Sequence, residues 1–238
     1  MFLNSSINNE KMDYLEHNKQ KRKTGIIHKT IVNILSKKSL KITGIESHMS
    51  FFLYYFLQKY APFKENKKIA IVDVGGANGD YIAYDNKNLN RFIVDIDDFY
   101  SSELKNKNIH FKKCDLNKDE FPFENDSVDI VIMNHVLEHL QAPFNALQKI
   151  HKSLKKGGLV IIRVPDISKV KWAFYDDFTH ITPFIKGKLK NMLSTAKFKI
   201  EYVNNFNYSL FMSLFLISKN PSLKLAKFGK ELIAIAKK

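Results

Sequence analysis

The stretch Asp73-Val74-Gly75-Gly76-Ala77-Asn78-Gly79-Asp80 holds residues suited to recognising a ligand through the backbone. Glycines at 75, 76 and 79 allow a tight turn and let a ligand approach without meeting a Cβ. No Lys or hydroxyl residue follows Gly79, which excludes a P-loop. Ala77 and Asp80 stand where a Gly-x-Gly-x-x-Gly fingerprint needs glycine, and Asp80 would set an anion against a pyrophosphate. What remains, Asp73-x-Gly75-x-Ala77-x-Gly79, suits a ligand with an ammonium or sulfonium group and no phosphate. A second group could move protons. Unperturbed imidazole titrates near pH ~6.5, so His180 could take a proton from a hydroxyl or amine, with Asp177 orienting it. The competing reading makes Asp177 a turn acid and has Thr179 and His180 cap a following helix. His135, Glu138 and His139 have i, i+3, i+4 spacing, which on a helix gives one shared face.

These residues need a scaffold that brings them together. Ile69–Val74 is a short apolar run bounded by glycines, the pattern of a strand buried on both faces. Similar runs predict strands near 91–95, 108–112, 128–133, 159–164, 198–204 and 231–236. Between them, Pro143–Leu154 has Phe144, Leu147, Ile150 and Leu154 on one helical face, with Gly157 and Gly158 at the expected C-cap. The alternation predicts an α/β fold: an open, mostly parallel sheet with helices on both faces. In such sheets ligands bind at the carboxyl ends of the strands. Asp95, Asp115 with Leu116, and Asn134 with His135 all fall at such ends.

The 238 residues accommodate one α/β domain with an appendage. Residues 1–45 read as a lysine-rich N-terminal extension. Residues 46–66, with Met49, Phe51, Phe52, Tyr55, Phe56 and Tyr60, read as a helix packed on a domain spanning 46–238. One cysteine, Cys114, excludes a disulfide framework and fits a reducing, cytoplasmic compartment. Neither a signal peptide nor a transmembrane run is expected. The net charge is +14, yet all but three of the 38 basic residues are lysines. Arginine is the preferred reader of phosphates, so nucleic acid is not the favoured partner. Peripheral contact with an anionic membrane stays open.

From Phe121-Pro122-Phe123 the chain runs through the strand at 128–133, then Asn134, Leu137-Glu138-His139, a helix, and Leu154-Lys155-Lys156-Gly157-Gly158. With the turn at 73–79, this order resembles the class I S-adenosylmethionine (SAM)-dependent methyltransferases over residues 69–204. The resemblance implies a Rossmann-like, seven-stranded sheet whose last strand inserts antiparallel, and SAM as the methyl donor. It implies a cofactor site of Asp73, Gly75, Gly76, Ala77, Gly79, Asp95, Ile96, Asp115, Leu116, Asn134 and His135. Asp95 would accept from the ribose hydroxyls, Asp115 and Leu116 would meet the adenine, and Asn134 would sit beside the methionine part.

Residues 165–184 form a long connection after the fifth strand. Its Asp177-Phe178-Thr179-His180-Ile181-Thr182-Pro183-Phe184 resembles the acceptor-site segment of methyltransferases from surface-sugar and secondary-metabolite pathways. The implied activity is methyl transfer to an O or N of a small acceptor, a sugar or a lipid-linked saccharide precursor, with His180 and Asp177 as catalytic residues. The alternatives are an RNA or tRNA methyltransferase and a non-catalytic SAM-binding protein. Some methyltransferases with Glu-x-x-Glu-His and a later His hold a divalent metal. Here His135 replaces the first Glu, and no metal is assigned.

Overall fold

A computed structural model describes residues 68–83, 87–218 and 223–238, together with Phe52, Tyr55, Phe56, Lys59 and Tyr60. The N-terminal extension expected at 1–45 lies outside the described residues. All seven expected strands form: β1 (Ile69–Val74), β2 (Leu89–Asp95), β3 (His110–Lys113), β4 (Val128–Asn134), β5 (Leu154–Pro165), β6 (Lys199–Phe206) and β7 (Glu231–Lys237). They make one sheet in the order β3-β2-β1-β4-β5-β7-β6, parallel except for β7, which runs antiparallel between β5 and β6.

Continuous apolar runs become central strands because both of their faces are covered. Ile71, Val72, Val131, Ile132, Val160 and Ile161 have no exposed surface. Each such side chain contributes roughly 1.5–3 kcal/mol when fully buried. The chain leaves β1 outward through β2 and β3, then returns to the other side of β1 as β4. This reversal opens a crevice at the carboxyl ends of β1 and β4, where ligands bind in doubly wound sheets.

From β2 onward the described residues form five α-helices: α1 (Ser101–Asn106), α2 (Pro143–Ser153), α3 (Ile167–Val170), α4 (Lys186–Thr195) and α5 (Tyr208–Ser218). The inward face of α2 carries Ala146, Leu147 and Ile150, all fully buried. Gly157 and Gly158 are not its C-cap. The helix ends at Ser153, Leu154 is already extended, and both glycines lie inside β5. Gly157 takes a φ of +78° there and donates to the carbonyl of Lys238. Of the helix expected at 46–66, the described residues are helical, with Phe52 and Phe56 fully buried and Lys59 exposed. The Phe52 ring meets Phe206 and Phe211 at centroid distances of 6.0 and 6.2 Å.

Candidate functional site

The glycine turn follows β1 directly. Gly75, Ala77 and Gly79 take φ values of +66°, +47° and +76°. A Cβ on Gly75 would come within 2.7 Å of Val136 Cγ2. One on Gly76 would meet Ile93 Cδ1 at 2.5 Å and Asp73 Oδ2 at 2.6 Å. The turn is therefore packed from below, and its backbone is the surface left for a ligand.

Asp73 is 1 % exposed, and its Oδ2 has no hydrogen-bond partner. Burial, and then the neighbouring charge of Asp95, push its carboxyl well above the ordinary range. Asp95 ends β2, and its Oδ1 accepts from the Ile96 N–H at 2.8 Å. Burial raises its pKa too, against N–H groups of Ile96, Asp97 and Ala77 that favour the charged form. One carboxylate thus ties the end of β2 to the glycine turn across the β1–β2 crevice.

Past β3, Asp115 Oδ1 accepts from Asn117 N–H at 3.0 Å, while Oδ2 lies 3.2 Å from the exposed Lys118 ammonium. Leu116 and Cys114 are buried beside it, and Ile96 is 60 % exposed. Asn134 ends β4, and both its amide oxygen and nitrogen are buried without partners. Unsatisfied buried polar atoms are uncommon in folded proteins and call for a ligand or water. The predicted cofactor residues therefore gather at the carboxyl ends of β1, β2, β3 and β4.

The segment after Asn134 departs from expectation. Only Leu137–His139 forms a short 3-10 turn, and the α-helix waits until Pro143. Proline disfavours helical geometry in the residue before it, so Ala142 stays outside the helix. His135, at φ +55°, is not helical. His135, Glu138 and His139 therefore do not share one face. The His135 ring meets Glu138 Oε1 at 3.0 Å through Nδ1 and Glu231 Oε1 at 3.1 Å through Nε2.

Arg163 and Glu231 belong to this network and were not anticipated. Arg163 sits in β5 at 3 % exposure, its Nε and Nη2 donating to Glu231 Oε2 at 3.2 and 2.7 Å. Its Nη1 donates to the Tyr81 hydroxyl at 3.0 Å, and the guanidinium lies 4.7 Å from the Tyr208 ring centroid. An arginine inside Ile161-Ile162-Arg163-Val164 was itself a signal, since a buried charge needs a partner. Burial works against charge on His135, but hydrogen bonds to Glu138 and Glu231 outweigh it and raise its pKa to about 9. A raised folded pKa stabilises fully below the unfolded value of about 6.5, and the gain is lost as pH rises through 9. The ring is 38 % exposed, so screening leaves about 1–2 kcal/mol of this gain. In urea unfolding, the stability advantage of the native chain over His135→Gln is expected to shrink by that amount between pH ~6.5 and ~9.5. A constant difference across this range would refute the assignment.

The segment after β5 is pinned back onto the Leu137–His139 turn. Ile181 and Thr182 N–H groups both donate to the Glu138 carbonyl, at 2.8 and 2.9 Å. His180 Nδ1 faces the Phe174 carbonyl at 2.7 Å, which fixes Nδ1 as the protonated nitrogen and leaves a lone pair on Nε2. Asp177 Oδ2 approaches that Nε2 only to 3.9 Å. Its Oδ1 instead accepts from the backbone and hydroxyl of Thr179, at 3.1 and 2.6 Å. Orientation of His180 thus comes from Phe174, which also stacks on the ring at 4.6 Å. His139 Nδ1 faces Thr179 Oγ1 at 2.9 Å and the Thr179 carbonyl at 3.1 Å. Burial lowers its pKa. Ligand atoms of Glu138, His139 and His180 lie within 4.8 Å of one another, and Glu138 Oε2 is buried without a partner. These three could hold a divalent ion of borderline softness; His135, engaged at both nitrogens, stands outside the set.

Comparison with known proteins agrees with the fold. Residues 46–203 match the methyltransferase domain family. The sequence matches no curated protein. A methyltransferase solved with the Trm112 methyltransferase activator of Haloferax volcanii superposes with a TM-score of 0.62 at 16% identity, covering 82% of this chain and 92% of that one. A SAM-dependent methyltransferase from Archaeoglobus fulgidus gives 0.57 at 19% identity, covering 79% and 95%. One from Mesorhizobium loti gives 0.57 at 15%, covering 74% and 94%. At these identities the likeness is one of fold. With a family match over more than half its length and the sheet order described, the chain belongs to the class I SAM-dependent methyltransferases.

Proposed function

We propose that the chain transfers the methyl group of SAM to an oxygen or nitrogen of a small acceptor, a sugar or lipid-linked saccharide precursor. The observation that carries the cofactor reading is the set of unsatisfied buried polar atoms on Asp73 and Asn134 beside a turn whose backbone is left open to a ligand. Bound SAM supplies an already activated sulfonium-linked methyl group. The protein binds, orients and excludes water. Asp95 accepts from the ribose hydroxyls. Asp115 and Leu116 edge the adenine, with Ile96 over its face. The turn from Gly75 to Gly79, with Gly76 and Ala77, lies along the backbone side. Asp73, Asn134 and His135 surround the amino-acid end.

His180 accepts the acceptor's proton at Nε2, the nitrogen that the Phe174 carbonyl leaves as a lone pair. Asp177 positions the segment through Thr179. His180→Ala is expected to leave SAM affinity unchanged and to lower turnover about 10²-fold, the scale of a lost general base. The check is radiolabelled SAM with an extract of the source cells, followed by identification of the labelled product. Unchanged turnover would remove His180 from the mechanism. SAM binding without any labelled product would favour a non-catalytic protein.

A further inference from the structure

Large apolar side chains left in water are not scattered over this molecule. Ile96 and Phe99 follow the carboxyl end of β2, at 60 % and 58 % exposure. Trp172, Tyr175, Phe178, Ile181 and Ile185 follow β5, with Trp172 at 84 % and Phe178 at 72 %. Leu225 and Phe228 precede β7. Because β7 is antiparallel, its start lies at the same end of the sheet, where Glu231 pairs with Pro165. Gly229 packs against the carbonyl of Phe206, the last residue of β6, which holds the Leu225–Phe228 segment there. Every exposed large hydrophobic among the described residues thus belongs to a connection at the ligand end of the fold. Among the described residues, the turns at the opposite end carry none. Exposed apolar side chains gathered at one end of a fold mark an interaction site.

One of these connections, the one before β7, is strongly basic. Leu225 and Phe228 alternate with Lys224, Lys227 and Lys230 in a stretch without an acid, and Lys169 and Lys171 precede Trp172. The Lys227 ammonium lies 5.2 Å from the Phe228 ring centroid. The other two connections carry acids as well: Asp97 and Asp98 follow β2, and Asp176 and Asp177 lie in the segment after β5. Tryptophan, tyrosine and phenylalanine among lysines is the composition of a surface that enters a bilayer interface. A nucleic acid is the weaker fit. Arg91 and Arg163, the two described arginines, are 5 % and 3 % exposed, so neither offers a fork to phosphate. Ile96, Ile181, Ile185 and Leu225 have no ring on which a base could stack.

We propose that the ligand end of the molecule docks on an anionic lipid bilayer, with Trp172, Phe178 and Phe228 entering the interface and Lys224, Lys227 and Lys230 facing the headgroups. The corollary, that the acceptor is reached at the bilayer surface, rests on the methyl-transfer reading above; the docking does not. Trp172 is the single tryptophan of the chain, so its emission reports on the proposed contact. The experiment titrates the full chain with phosphatidylcholine vesicles, with and without about one-third phosphatidylglycerol, and measures emission, co-sedimentation and SAM affinity.

The expected result is a blue shift and co-sedimentation with the anionic vesicles, both weakened by added salt. The Lys224→Glu, Lys227→Glu, Lys230→Glu triple variant should bind them at least 100-fold less, from roughly 5-fold per lysine. Leu225→Ser with Phe228→Ser should also weaken binding and keep SAM affinity. Unmoved emission with the protein left in the supernatant overturns the proposal. So does saturable binding of tRNA without binding of vesicles, or full vesicle binding by the triple variant. Vesicle binding without SAM affinity would sink the cofactor reading and leave the docking standing.

Discussion

Glu231→Ala is expected to destabilise the fold by about 3–5 kcal/mol, the cost of stripping the partner from a buried charge. Arg163 is the reason. Its guanidinium lies among the Phe52, Phe206 and Tyr208 rings, and Glu231 is the carboxylate with which it is paired, at 2.7 Å. Burial pushes the Glu231 carboxyl up, but Arg163 and His135 outweigh this and hold its pKa at about 2. The same change frees the Nε2 side of His135. Glu231→Gln keeps an acceptor oxygen and should recover part of the loss. Replacing both partners by apolar residues, Arg163→Met with Glu231→Leu, should be far milder than the single change, because no charge is then left buried. Urea unfolding of the four proteins checks this. A Glu231→Ala loss below about 1 kcal/mol would show that Arg163 finds water instead.

That pair also marks where the sequence stops being readable. The strands were legible because a strand buried on both faces must be apolar at consecutive positions, as in Ile130-Val131-Ile132-Met133. The glycine turn was legible because positive φ restricts residue choice locally. Arg163 could have been flagged from its apolar neighbours, but its partner lies 68 positions away at the start of β7. Nothing local points to Glu231. The spacing of His135, Glu138 and His139 suggested one helical face. Spacing carries no information on whether a helix forms, and Pro143 delays it. Likewise, Gly157 and Gly158 look like a helix stop until β5 is seen to begin at Leu154. The insertion of β7 between β5 and β6 came only from the family resemblance; an apolar run such as Leu232–Ala236 does not encode its direction.

The proposed cofactor site is most sharply tested at Asp95. Asp95→Ala is expected to lower SAM affinity by about 10³-fold, the sum of two hydrogen bonds to a charged acceptor at roughly 1.5–3 kcal/mol each. The second half of the argument is positional. N–H groups of Ile96, Asp97 and Ala77 converge on this carboxylate, so its loss also releases the link between β2 and the glycine turn. Asp95→Asn keeps an acceptor oxygen but not the charge, and should fall between the two. Asp115→Ala should cost less, since its Oδ1 is already engaged by Asn117 and Lys118 screens its Oδ2. Calorimetric titration with SAM, alongside circular dichroism to verify folding, orders the variants. Full affinity in a folded Asp95→Ala protein would place the ribose elsewhere. Equal losses at Asp95 and Asp115 would mean that charge at the carboxyl end of the sheet matters, and not the geometry at the end of β2.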